Sequence, residues 1–225
     1  MYKINNLCEC EKNHEKNHEK CPWEKEEKCE KNEKYEKCPW EKKDKDARKC
    51  EKKCACELRV EFRKLWSEHA IYTKFYIISV LANIPDANLL AQRLLRNQDD
   101  IGNFLECFIG KDKGDKVAKL LKEHILAAAA AIAAVKSGNQ GKIDEATDKL
   151  FQNSRKVAHF LSSLNPHRLP FRVVLDHFNE HNQFVIDMTV ARSKKEFAKD
   201  IKLFDAYYAQ ILDFPDLVLE GVSCI

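Results

Sequence analysis

Beyond residue 57 hydrophobic positions recur every three or four residues, the period of a helix with one buried face. Across residues 57–83 the stripe runs through Leu58, Phe62, Leu65, His69, Tyr72, Tyr76 and Val80. Asn83-Ile84-Pro85-Asp86 ends it, with Asp86 placed to cap the next helix. Residues 86–109 read as a shorter helical stretch interrupted near 97–102, and 110–114 as a glycine-bounded connector. Residues 115–137 carry Val117, Leu121, His124, Ala128, Ala131 and Val135, and the alanines from 127 to 131 let a neighbouring backbone come close. After the turn Gly138-Asn139-Gln140-Gly141, the stretch 143–164 directs Leu150, Asn153, Val157, Phe160 and Leu164 inward. Asn165-Pro166 separates it from 171–192, and 193–213 closes the series with Phe197, Ile201, Phe204, Tyr208 and Ile211. No part of 57–225 alternates with period two, so no sheet is expected. The pattern predicts one all-α domain over 57–225, an antiparallel helical bundle of five long helices and one shorter.

Residues 1–56 obey no such period. They hold 15 Lys, 1 Arg, 12 Glu and 2 Asp, with apolar side chains nearly limited to Ile4, Leu7, Trp23 and Trp40. A segment this polar buries too little surface to offset its ordering entropy, so a disordered Cys/Lys/Glu-rich tail is expected. Lys-Cys-Pro-Trp-Glu-Lys occurs twice, at 20–25 and 37–42, the mark of a duplicated low-complexity stretch. Eight of the ten cysteines fall here: Cys8, Cys10, Cys21, Cys29, Cys38, Cys50, Cys54 and Cys56. Thiolates suit Zn or Cu(I), and a bound ion would supply the order that a missing core cannot. No Cys-x2-Cys pair occurs, so no standard zinc-finger spacing is matched. Reduced, inert thiols or thiols that cross-link chains are the competing readings.

Within the bundle one dipeptide recurs. Glu68-His69, Glu123-His124 and Glu180-His181 each sit near mid-helix with the histidine on the apolar stripe. Titratable groups are seldom buried unless paired or bound to a metal. His177 and His181, four residues apart, can also share an ion. Together Glu68, His69, Glu123, His124, His177, Glu180 and His181 are the expected ligands for Fe, Mn or Zn inside the bundle. The set departs from known di-metal patterns: Glu-x-x-His is readable only once and backwards, and the residue four after His124 is Ala128. The competing reading is a polar network in which each histidine bonds a carboxylate or Tyr72, Tyr76 or Tyr208. Asn153 and Asp205 hold comparable mid-helix positions.

Other chemistry finds little support. Only 6 glycines occur in 225 residues, with no P-loop, no Gly-x-Gly-x-x-Gly and no Gly-x-Ser-x-Gly, so no nucleotide cofactor is expected. Cys107 sits among Phe104, Leu105, Phe108 and Ile109 and reads as buried. The net charge of +3 and scattered arginines predict no nucleic-acid partner, and the lack of a long apolar run predicts no membrane span. Without an apolar leader the expected compartment is the cytoplasm.

Leu65-Trp66-Ser67-Glu68-His69, Asn83-Ile84-Pro85-Asp86 and Arg93-Leu94-Leu95-Arg96-Asn97 resemble a family of small helical-bundle proteins of spore-forming and related bacteria. Leu121-Lys122-Glu123-His124-Ile125, Phe178-Asn179-Glu180-His181 and Leu219-Glu220-Gly221-Val222 extend the resemblance over about 58–222, leaving out the Cys-rich tail. Members often carry the labels acetylglutamate kinase or glycosyltransferase. A bundle of this size lacks the sheet and the glycine loops that those activities need. The resemblance implies an all-helical domain with the Glu-His pairs in its shared pattern, and it supplies no substrate.

Three functions follow as expectations. The first is a metal-binding protein for storage, buffering or sensing. The second is a carboxylate- and histidine-bridged di-metal oxidoreductase. The third is a non-enzymatic structural or interaction module, as a homo-oligomer or thiol-linked assembly.

Overall fold

The computed structural model describes residues 55–223. The expectations for Cys8, Cys10, Cys21, Cys29, Cys38, Cys50 and Cys54 lie outside them, and of Cys56 only its place in the first turn of a helix is described. Six helices follow one another: α1 (Ala55–Ala82), α2 (Ala87–Ile109), α3 (Lys111–Ser137), α4 (Gln140–Leu164), α5 (Phe171–Ser193) and α6 (Phe197–Val222). Among the described residues there is no strand. No described helix is long and apolar enough to cross a membrane.

Short links force each helix to run back along the one before it. Gly110 alone joins α2 to α3, at φ 81°, a left-handed conformation that costs glycine little. Gly138 closes α3 in the left-handed helical region at φ 67° and ψ 7°, and Asn83 follows α1 with φ also positive, at 55°. Asn139 caps α4, its side chain accepting from the Lys142 backbone N–H. Asp86 holds the corresponding place before α2, yet its side chain makes no capping bond.

The helices close into a ring in chain order, with α6 returning to pack on α1. Arg63 to Asp216, Ser67 to Tyr208 and Lys74 to Asp200 mark that antiparallel seam. The odd-numbered helices α1, α3 and α5 also touch one another across the middle. The core there is aromatic: Phe62, Trp66, Phe178, Tyr207 and Phe214 are buried together with Ile77, Ile101, Leu105, Leu121 and Ile211. A second, smaller cluster of Ala131, Ala134, Ala146 and Leu150 welds α3 to α4.

Three expectations need correction. The second helix is not interrupted near 97–102, and at 23 residues it equals α5 in length. Its polar residues Asn97 and Gln98 face the interior, and Gly102 is the point where α2 meets α3. Gly114 belongs to α3 and not to a connector. The last helix runs on through Pro215 to Val222; Pro215 is buried, and the helix carries past it because tertiary packing outweighs the missing bond.

Candidate functional site

Because α1, α3 and α5 meet at the centre, the three histidines on their inner stripes meet there too. His69, His124 and His181 are each at most 6% exposed. The His181 ring centroid lies 5.6 Å from that of His69 and 5.9 Å from that of His124. These three and His177 line a cavity of about 10 Å³, walled by Trp66, Leu121, Phe178, Ile211 and Phe214. His177 is partly exposed at one side and stacks on Phe214 at 4.4 Å. Tyr207 lies against His181 at 5.0 Å.

Hydrogen bonds fix which ring nitrogen carries the proton. Asn153 on α4 donates through Nδ2 to the Leu120 carbonyl at 3.3 Å, so its Oδ1 is the atom facing His124 Nδ1 at 2.9 Å. An acceptor there requires His124 to carry its hydrogen on Nδ1 and a lone pair on Nε2. At His69 the order reverses. Asn97 Nδ2 donates to the Leu65 carbonyl, which turns Asn97 Oδ1 toward Gln98 Nε2. Gln98 Nε2 also donates to the Leu94 carbonyl and stands 3.2 Å from His69 Nδ1. An amide nitrogen has no lone pair to offer an Nδ1–H, so the atom facing Gln98 Nε2 is an Nδ1 lone pair and the ring's own hydrogen sits on Nε2.

The cluster is uncharged. Burial lowers His69 to about 3, and the neighbouring His124 adds to the effect. Burial likewise takes His124 to about 4, opposed in part by its bond to Asn153, and His177 to about 4. His181 falls well below the ordinary range through burial and then through His69, His124 and His177. Burial raises the Tyr207 phenol above its usual value.

The structure thus brings together four of the seven expected ligands in the bundle and leaves the carboxylates apart. Glu68 turns outward to Arg93 at 2.7 Å, with Lys64 also near. Glu123 is partly exposed on α3 and Glu180 is exposed on α5. A glutamate beside an inward histidine points about 100° away around the helix, which is why the dipeptide delivers one member and not both. Among the described residues no group of three or more His, Cys, Asp or Glu could hold a metal ion. The expected carboxylate and tyrosine partners are replaced by amides, Gln98 and Asn153. Asp205 is exposed, Tyr208 bonds Ser67 at 2.6 Å, and Tyr72 lies under Arg93 at 4.7 Å. Cys107, expected to be buried, is exposed on α2.

One buried ionic group escaped the sequence reading. Asp200, in the first turn of α6, is fully buried and takes Lys74 from α1 and Arg192 from α5, the latter at 3.0 Å. Lys74 lies 5.5 Å from the Phe204 ring centroid, and burial lowers its ammonium below the usual lysine value against the pull of Asp200. No protein-family model, curated protein or solved structure matches this chain.

Proposed function

We propose that this is a non-catalytic metal-handling protein in which the thiol-rich segment gathers soft ions and the bundle is its anchor. The observation that carries this reading is the commitment of two central imidazoles, His69 and His124, to the bundle's own amides. His69 accepts from Gln98 through Nδ1, so a metal at its Nε2 would have to displace a proton and turn that amide around. A ligating histidine ordinarily does the reverse, donating its other N–H outward. Of these two rings, it is His124 that is arranged that way. The di-metal oxidoreductase loses its bridging groups, since Glu68 is held by Arg93 and Glu180 faces solvent. Metal affinity then falls to Cys8, Cys10, Cys21, Cys29, Cys38, Cys50, Cys54 and Cys56, whose thiolates favour Zn or Cu(I) over harder ions. Storage or buffering suits eight thiols without the fixed spacing of a structural finger.

The test is elemental analysis of the full chain and of a chain beginning at Glu57, both purified reduced and without chelator. Zinc or copper at one or more per chain in the full protein, and none in the shorter one, is the expected result. Stoichiometric metal in the shorter chain would return the site to the histidines. Metal in neither, with thiol-dependent oligomers, would leave the structural or interaction module.

A further inference from the structure

We infer that the imidazole cluster is an acid-sensitive lock on the bundle: proton uptake by His69, His124, His177 and His181 unfastens α1, α3 and α5 from one another. The surroundings of the four rings decide how they respond to acid. From α1 come His69 and Trp66, from α3 His124 and Leu121, and from α5 His177, Phe178 and His181. Helices α2, α4 and α5 supply the neutral amides Gln98, Asn153 and Asn182, and α6 supplies Tyr207, Phe214 and Ile211. The titratable groups facing the cluster are therefore the imidazoles themselves and the Tyr207 phenol. Of the carboxylates beside these histidines in sequence, Glu68 is paired with Arg93 and Asp176 with Arg172, while Glu123 is partly exposed and Glu180 exposed. An imidazolium formed here has no counter-ion, and a second would stand beside it at ring separations of 5.6 and 5.9 Å. Isolated charge in an apolar interior is strongly disfavoured, so the folded state refuses protons that the unfolded chain accepts.

The sign follows from linkage. In the unfolded chain each histidine titrates near its ordinary value of about 6.5, whereas in the fold His69, His124 and His177 are lowered to about 3, 4 and 4 and His181 also lies well below. Groups depressed on folding contribute stability that is full above the unfolded value and lost as pH falls toward the folded one. The loss begins below about pH 6.5 and is steep by pH 5.5, before most carboxylates titrate. The device rests on the proposed function in one respect, that the imidazoles hold no metal, and it involves none of the thiols.

The experiment is urea unfolding of the reduced full chain at several pH values from 7.5 to 5.0, with the histidine ring protons followed by NMR in the folded state. The unfolding constant is expected to rise at least about 100-fold per pH unit near 5.5, the signature of two or more protons taken up on opening. The buried ring signals are expected not to titrate until the protein unfolds. His181→Gln should make the dependence shallower by about tenfold per pH unit, one proton's worth. If that variant does not fold, the ring signals of the unaltered protein decide alone. A flat unfolding constant between pH 6.5 and 5.0, or rings that titrate near 6.5 in the folded state, would overturn the proposal. So would a folded His181→Gln with an unchanged slope.

Discussion

At the scale of single residues, the interior is governed by which nitrogen holds a hydrogen. His124 donates from Nδ1 to Asn153, and His69 accepts at Nδ1 from Gln98, so the two rings are opposite tautomers in one cavity. Long-range proton–nitrogen NMR at neutral pH is expected to give the Nδ1–H form for His124 and the Nε2–H form for His69. Asn153→Leu should leave His124 without its acceptor and cost about 1–3 kcal/mol in urea unfolding. Much of this was legible beforehand, since His69, His124 and Asn153 all lie on the apolar stripes. Gln98 was not. A polar pair followed by a glycine reads as a break, and only the facing helices reveal that these amides have partners inside. Tyr207 was missed by one position: a broad apolar face leaves the helical phase uncertain, and the stripe through Phe204 and Tyr208 serves the α1 seam while Tyr207, Ile211 and Phe214 face the core.

At the scale of elements, helix type and order follow from the apolar period, and helix contacts depend on small residues whose role the period does not show. Gly102 and Gly114 bring α2 and α3 together. A Cβ at Gly102 would stand 2.7 Å from the Ala118 Cβ and 2.8 Å from the Gly114 carbonyl oxygen. Gly102→Ala is therefore expected to cost about 1–3 kcal/mol despite the better helix propensity of alanine, because a backbone atom cannot move aside. Gly141, exposed in the first turn of α4, meets only the Asn139 side chain at 3.5 Å, and Gly141→Ala should gain a few tenths to about 1 kcal/mol. Opposite signs in thermal unfolding check the pair. Seen from the sequence the two glycines look alike. Only their neighbours on another helix separate them.

At the scale of the whole molecule, the ring is held shut where the last helix meets the first. Asp200 gathers Lys74 and Arg192 at one end of that seam, and Arg63 reaches Asp216 toward the other. Such pairings were illegible because Lys74 and Asp200 stand 126 positions apart, and a buried charge announces itself only when its partner is seen. Arg63 and Asp216 are 153 positions apart. The separation has a consequence in time. Joining distant segments costs more chain entropy than joining neighbours, and α3 and α4 are linked by two residues while α1 and α6 wait for the whole chain. The α3–α4 pair around Leu150 should form early in folding and the α1–α6 seam late. In stopped-flow refolding, Leu150→Val is then expected chiefly to slow folding. Phe214→Leu, which loosens α6 from Trp66 of α1, should chiefly speed unfolding. On this order the seam is also the first part to part: the molecule opens where it last closed, and the lifetime of the folded state is set there.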